Sequence, residues 1–376
     1  MIDFSKPSIT NAEISEIERV LKSKWITTGR KTAEFEQKIN RYIGSKYCVP
    51  VSSCTAALHL ALLCAGVTKG DEVITTPFTF TATANAILYV GAKPIFVDIK
   101  LKDNIIDEDL IEIKITPKTR AIIAVHYGGF AANLDKLKKI CKKYNLKLIE
   151  DAAHAFGSKY KTTYIGHNSD YCCFSFYPTK NITTVEGGAF VTNNKKTYLK
   201  AKSLALHGIS KDAWKRYAKD GTWKYDVDEL GYKYNLSDIN SALGLIQLKR
   251  IKQMQSKREV LFKFYKKELS SVKQISILEG NTYSKPFRHL FVISVNFDKI
   301  SRDALIERLK VKNIICSVHF IPLYHFSLYK RLFNYSAGLF PITEKVFNTC
   351  VSLPFGADLS LSDARKVVYE IRKIFS

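Results

Sequence analysis

Residues 121–151 read AIIAVHYGGFAANLDKLKKICKKYNLKLIED. Ala121–Val125 is an unbroken apolar run of strand length. Leu134–Tyr144 has apolar residues at helical spacing with lysines between them, the pattern of a helix with one buried face. Lys147–Glu150 returns to a short strand, and Asp151 ends it. A strand, an amphipathic helix and a second strand form a crossover unit whose strands run parallel.

The same alternation extends in both directions. Upstream, Val49–Val51 reads as a strand, and Ser52-Ser53-Cys54-Thr55 opens a helix through Ala56–Ala65 that Gly66 and Gly70 close. Glu72–Thr75 is a strand, Thr79–Tyr89 a helix and Pro94–Asp98 a strand. Downstream, Tyr171–Phe176 and Ala189–Thr192 complete the run. The expected class is α/β, a mainly parallel central sheet with helices on both faces. Two helices precede it, Ala12–Lys22, with Thr10 and Asn11 as caps, and Lys31–Tyr42. From Ser237 one long helix is expected to reach about Leu269. A strand at His289–Val295, a helix near Arg302–Lys310, a strand at Ile314–Val318 and a last helix near Ser362–Phe375 then read as a small α+β C-terminal domain. The expected division is residues 1–250 and 251–376.

The chain has 376 residues, 46% of them hydrophobic, which fits a folded chain larger than one ordinary core. No apolar run is long enough to cross a bilayer, and MIDFSKPSIT lacks a basic-then-apolar export signal, so a cytoplasmic protein without a membrane anchor is expected. None of the eight cysteines makes a CxxC or Cys/His ligand spacing, so no metal is expected. The formal charge of +23 is spread along segments such as KLKKICKKYNLKL, which read as solvated helix faces. No nucleic-acid-binding module is recognisable, and the charge fits either an anionic small substrate or a lysine-rich composition that favours solubility.

In sheets of this kind ligands collect beyond the carboxyl ends of the strands. That rim holds Asp151, Ser175 and the turn before Thr55. Lys180 stands in FSFYPTKNITTVEGGAFVT (174–192), between two strands and before Gly187-Gly188. Taken alone, Lys180 in so lysine-rich a chain reads as a surface residue. Asp151, at a strand end before Ala152-Ala153-His154, is placed either to cap the next segment or to hold a pyridine nitrogen in its protonated state. The turn Ser52–Thr55 offers backbone N–H groups and hydroxyls to a phosphate, or simply caps its helix. Ser175 can add a phosphate contact, and Phe80 can cover an aromatic ring. The ordered set of phosphate turn, aromatic, strand-end Asp-x-x-His, Ser, Lys and Gly-Gly makes a pyridoxal-phosphate constellation.

Over essentially its full length the chain resembles the DegT/DnrJ/EryC1/StrS family of sugar aminotransferases. The matching segments include WITTGRKTAEFE, SSCTAALHLAL, LIEDAAHAFG, FSFYPTKNITTVEGGAFVT, GYKYNLSDINSALGLIQL and VHFIPLYHF. The resemblance implies the fold type I aminotransferase fold, a homodimer with shared active sites and pyridoxal 5'-phosphate as cofactor. It implies Lys180 as the Schiff-base lysine, Asp151 as partner of the pyridine nitrogen, and His154 near the ring hydroxyl. Phe80 matches the stacking aromatic, and Cys54, Thr55 and Ser175 match phosphate contacts. Asn235 matches a residue that reaches the phosphate from the other subunit. Relatives that dehydrate instead carry histidine in place of the lysine. Val185 departs from the family, where Gly is frequent.

The implied activity is transfer of an amino group, from L-glutamate, to a keto-deoxy-sugar nucleotide in surface-polysaccharide or lipopolysaccharide biosynthesis. WITTG and HGISKDAWKRY place the C4 ketone of a 4-keto-6-deoxyhexose ahead of C3. The implied substrate contacts are Thr27, Thr28, Trp214, Arg216, His319, Tyr324 and His325, with Arg30, Lys31 and Lys215 as further cations for the diphosphate. The alternatives are a C3 aminotransferase, a dehydratase on the same fold, and a regulatory or nucleic-acid-binding protein.

Overall fold

A computed structural model describes residues 1–209, 225–296 and 300–376. The chain opens with α1 (Asn11–Ser23), started by a capping box between Thr10 and Glu13, and α2 (Arg30–Ile43). Next come β1 (Tyr47–Val51), α3 (Cys54–Cys64), β2 (Glu72–Thr75), α4 (Thr81–Tyr89) and β3 (Lys93–Phe96). The unit read first from the sequence is β4 (Thr119–Val125), α5 (Leu134–Tyr144) and β5 (Lys147–Asp151). Short strands β6 (Lys159–Tyr160) and β7 (Thr163–Tyr164) precede β8 (Cys172–Ser175), β9 (Gly188–Thr192) and α6 (Lys195–Leu204). The remainder is α7 (Asp238–Lys249), α8 (Ile251–Leu269), β10 (Ile275–Ile277), β11 (Ser284–Lys285), β12 (Phe291–Val295), α9 (Arg302–Val311), α10 (Ser327–Phe333), α11 (Pro341–Thr349), β13 (Cys350–Leu353) and α12 (Leu361–Phe375).

Among the described residues, seven strands form the central sheet in the order β1-β9-β8-β5-β4-β2-β3. Strands β3, β2, β4, β5 and β8 pair in parallel, and β9 runs antiparallel between β8 and β1. Side chains alternate across a strand, and the neighbours Cys172 and Cys173 accordingly join different apolar cores on the two faces. Val125 pairs with Asp151 and Asp151 with Cys173, so β4, β5 and β8 end at one rim. A second sheet, β10-β12-β13, shares an apolar cluster with α8, α9 and α12, including Tyr265, Phe291, Leu305 and Ile371.

Three expectations need correction. The helix from Ser237 is two helices. Arg250 leaves helical geometry at φ −92°, ψ 1°, and its guanidinium reaches Glu13 at 2.5 Å and the Ser8 carbonyl at 3.2 Å. No proline or glycine marks that break; a tertiary ion pair does. Ile314–Val318 forms no strand. Ile314 bridges Ile2 and Ser317 bridges Ser352, so the segment is divided between two neighbours. Helix α4 starts at Thr81, leaving Phe80 at its N-cap position in extended geometry. No helix among the described residues is long and apolar enough to cross a membrane.

Candidate active site

The site forms at the rim where β5 and β8 end. The chain reverses face at each residue of β5, so Glu150 and Asp151 diverge. Glu150 accepts from Ser169 and meets the His126 Nε2 at 3.0 Å. Asp151 Oδ2 accepts from Thr83 Oγ1 at 2.7 Å, and Oδ1 from the Ala153 amide at 3.2 Å. No helix comes directly after Asp151 for it to cap. Burial raises its carboxyl above the usual range, opposed by the Thr83 and Ala153 hydrogen bonds and by Lys180 and His126. A buried carboxylate of this kind is stabilised by a cation placed against it.

Lys180 lies in the β8–β9 loop, its amide donating to the Tyr177 carbonyl at 2.9 Å. The residue is half-buried. Burial lowers its amine to about 8, with Cys54 and Asp151 pulling upward. Among the described residues its Nζ has no hydrogen-bond partner. A lysine so placed is a good nucleophile near neutral pH.

His154 is buried at 7% exposure, and its Nδ1 accepts from the Gly128 amide at 3.3 Å. The ring proton therefore sits on Nε2. Burial holds the imidazole well below its ordinary value, and Lys180 and His319 add to this, so the ring is neutral. Its ring stacks on Phe320 at 5.6 Å and 22° and meets His289 at 4.4 Å.

At the start of α3, Ser53 Oγ accepts from the Ala56 amide at 3.0 Å. The amides of Cys54 and Thr55 make no backbone or side-chain hydrogen bond among the described residues. Gly188 closes against this turn: a Cβ there would stand 2.6 Å from the Cys54 nitrogen and 2.6 Å from the Phe174 carbonyl oxygen. Gly188 also pairs with Ser175, whose Oγ accepts from the Tyr177 amide at 3.4 Å. Phe80 is 63% exposed at the rim, 6.4 Å from Phe320.

The other expected site residues divide. His319 joins the cluster, 6.2 Å from the His154 ring, with its Nδ1 2.9 Å from Ser352 Oγ. Tyr324 and His325 make other contacts. Tyr324 is 2% exposed and stacks on Phe340 at 5.0 Å, while His325 Nε2 meets Glu344 at 2.6 Å. Thr27, Thr28 and Asn235 lie together, with Asn235 bridging Val51 just before the turn into α3. Asn235 Nδ2 donates to Thr28 Oγ1 at 2.6 Å, and the Thr27 carbonyl accepts from the Asp238 amide at 3.2 Å. Thr28 and Asn235 line a cleft of about 870 Å³ together with Trp25, Arg30, Lys31 and Lys202. Asn235 Oδ1 is buried there without a partner. Trp214, Lys215 and Arg216 lie outside the described residues. The sequence reading missed Thr83, His126, Asn181, His289 and Phe320. Only Thr83 had a sequence signal, one helical turn beyond Phe80 on α4.

These residues fit pyridoxal phosphate. Two free amides at a helix N-terminus suit its phosphate, and the glycine beside them leaves no room for a side chain. The buried Asp151 carboxylate suits a protonated ring nitrogen, and the His154 Nε2–H suits the ring oxygen. Lys180 offers the free amine.

A model of the DegT/DnrJ/EryC1/StrS aminotransferase family matches residues 7–372. The chain is 40% identical over 372 residues to the UDP-4-amino-4,6-dideoxy-N-acetyl-beta-L-altrosamine transaminase of Campylobacter jejuni, covering 98% of this chain and 96% of the relative. It is 39% identical over 376 residues to the spore coat polysaccharide biosynthesis protein SpsC of Bacillus subtilis, covering 99% and 97%. Among solved structures, a putative sugar aminotransferase from Streptococcus pneumoniae in its PMP form superposes with a TM-score of 0.92 at 33% identity, covering 100% of this chain and 99% of that one.

Proposed function

The chain belongs to the DegT/DnrJ/EryC1/StrS aminotransferase family, and from that premise we propose that it moves an amino group from L-glutamate to the C4 ketone of a nucleotide-linked 4-keto-6-deoxyhexose. It is a fold type I, pyridoxal-phosphate-dependent sugar aminotransferase, which sets aside the regulatory and nucleic-acid-binding alternatives. The observation that carries the proposal is Lys180, a half-buried amine without a hydrogen-bond partner among the described residues, facing the buried Asp151 carboxylate and the neutral His154. Retention of this lysine favours transamination over dehydration. The name of the Campylobacter relative, a transaminase of a UDP-linked 4-amino sugar, supports C4 and a nucleotide sugar. The name of the Bacillus relative supports a place in polysaccharide biosynthesis.

When bound, pyridoxal phosphate supplies an aldehyde that accepts the amino group and a ring that withdraws electrons. The amides of Cys54 and Thr55 bind the phosphate, with Ser175 beside them. Asp151 keeps a proton on the ring nitrogen, and Thr83 fixes which carboxylate oxygen is turned away from it. His154 donates through Nε2 and cannot accept a proton at neutral pH. Lys180 Nζ would serve as the base that moves a proton between the two carbons flanking the transferred nitrogen. Phe80 covers the open face, and His319 borders the sugar site.

We further read residues 1–250 as the cofactor-holding unit and 251–376 as a smaller one, in a cytoplasmic homodimer. The open cleft that Asn235 lines with Thr28 supports a contact across the two-fold, in which the carboxamide N–H would donate to the phosphate of the second copy. Thr27, Thr28, Trp214 and Arg216 stay assigned to substrate in the same assembly. The deciding assay supplies L-glutamate with 4-keto or 3-keto nucleotide sugars and detects the product by mass. Amination of the 4-keto sugar alone is expected; amination of the 3-keto sugar alone overturns the assignment to C4.

A further inference from the structure

Among the described residues the amine of Lys180 makes no hydrogen bond, so its place in the site comes from the backbone that carries it. The next residue, Asn181, is 4% exposed. Its Nδ2 donates to the Phe156 carbonyl at 3.1 Å and to the Phe287 carbonyl at 3.0 Å. One amide nitrogen thus spans two segments, one leading from His154 and one entering β12.

The second segment, Phe287–His289, is itself held at several points. The Phe287 amide donates to Ser158 Oγ at 2.9 Å, and the His289 carbonyl accepts from buried Arg258 at 3.3 Å. The His289 amide donates to the Gly128 carbonyl at 3.1 Å, and the Gly128 amide holds His154 Nδ1. There is no slack: a Cβ on Gly129 would lie 2.6 Å from the Phe287 carbonyl oxygen. His154 and the lysine loop are therefore fastened to the same three residues.

We propose that Asn181 is a positioning residue for Lys180, clamping the lysine loop to the Phe287–His289 segment that also sets His154. This rests on the reading of Lys180 as the lysine that holds pyridoxal phosphate. A carboxamide suits the task because one nitrogen carries two N–H groups for two carbonyls; serine has one donor and ionised aspartate none. The groups facing Lys180 are Cys54 on α3, Asp151 on β5, His154 after it, His289 before β12, and His319. With the clamp cut, the loop moves the amine away from these groups and toward water, where it holds its proton more tightly.

The test uses the full-length protein, wild type and the variants Asn181→Ala and Asn181→Ser. Pyridoxal phosphate is captured with borohydride across a pH series, the labelled peptide is quantified by mass spectrometry, and cofactor affinity is measured by equilibrium titration. Wild type captures on Lys180, and the pH at which its capture is half complete is the reference for the variants. Asn181→Ala is expected to move the midpoint up by about one pH unit and to weaken the cofactor roughly tenfold, with Asn181→Ser between the two. An Asn181→Ala protein with wild-type midpoint and affinity overturns the proposal. If Asn181→Ala does not fold, Asn181→Ser decides by the same two readings, and an unshifted midpoint overturns it. Wild type that captures on another lysine removes the underlying reading, and the proposal with it. That failure shows in the parent protein and is distinct from an unshifted variant.

Discussion

Thr83 Oγ1 donates to Asp151 Oδ2 at 2.7 Å, and Thr79 Oγ1 stands 2.8 Å on the other side of that hydroxyl. A helix that begins at the rim thus orients the carboxylate at the end of β5. A hydrogen bond to a charged group contributes about 1.5–3 kcal/mol. Thr83→Val keeps the shape and removes the donor. Single-turnover amine transfer is expected to fall roughly tenfold, with cofactor affinity little changed, since only the orientation of Asp151 is lost. Thr83→Ser should keep the wild-type rate. A valine variant at wild-type speed contradicts the orienting role.

Lys180 carries a pH signature. Its amine is lowered from the ordinary 10.5 to about 8 by burial. Between those two values the unfolded chain binds a proton that the folded chain lacks, so folding stability of the cofactor-free protein rises with pH across that window. Lys180→Met removes the contribution and should abolish turnover while leaving the fold intact. Denaturant midpoints of wild type and Lys180→Met, compared at about pH 7.5 and about pH 9.5, isolate it. Wild type should gain relative to the variant at the higher pH. Parallel behaviour contradicts a buried amine.

Val185 has φ +69° and is 57% exposed. A β-branched residue is strained in left-handed backbone, which explains why the resemblance places glycine there in many relatives. Val185→Gly should raise stability by about 0.5–1 kcal/mol, the strain relieved less the entropy that glycine costs. Its rate should stay at the wild-type level, because no group at the site is removed. Equilibrium denaturation checks this, and a less stable glycine variant contradicts it.

Legibility in the sequence tracks the range of the interactions. Asp151 was legible because it ends a strand in a regular alternation, and Lys180 and His154 because they follow β8 and β5 in loops at the same rim; Lys180 needed the ordered set around it to stand out from a lysine-rich surface. Asn181 and His289 were not, since their roles arise from the Phe287–His289 segment crossing beneath residues far earlier in the chain. Asp238 shows the same limit. Its neighbourhood reads as capping for its own helix, and Ser237 does cap α7. The Asp238 carboxylate instead accepts from the Gly29, Lys31 and Thr32 amides at 2.7, 3.1 and 2.9 Å, capping α2 across the fold. Tyr324 and His325 were read as part of the sugar pocket from a motif. Tyr324 packs on Phe340 and His325 pairs with Glu344, contacts that no local pattern announces.

Above all, the chemistry rests on Asp151 supplying the negative charge that keeps the cofactor's ring nitrogen protonated. Asp151→Asn keeps the size and the Thr83 and Ala153 neighbours and removes the charge. The measurement is single-turnover amine transfer by this variant, with cofactor binding and thermal stability recorded on the same protein. Asp151→Asn is expected to bind pyridoxal phosphate still, and to permit its borohydride capture on Lys180. Its rate is expected to be lower by about a hundredfold or more, equivalent to roughly 3 kcal/mol of transition-state stabilisation. Turnover close to wild type would contradict that role and take Asp151 out of the chemistry.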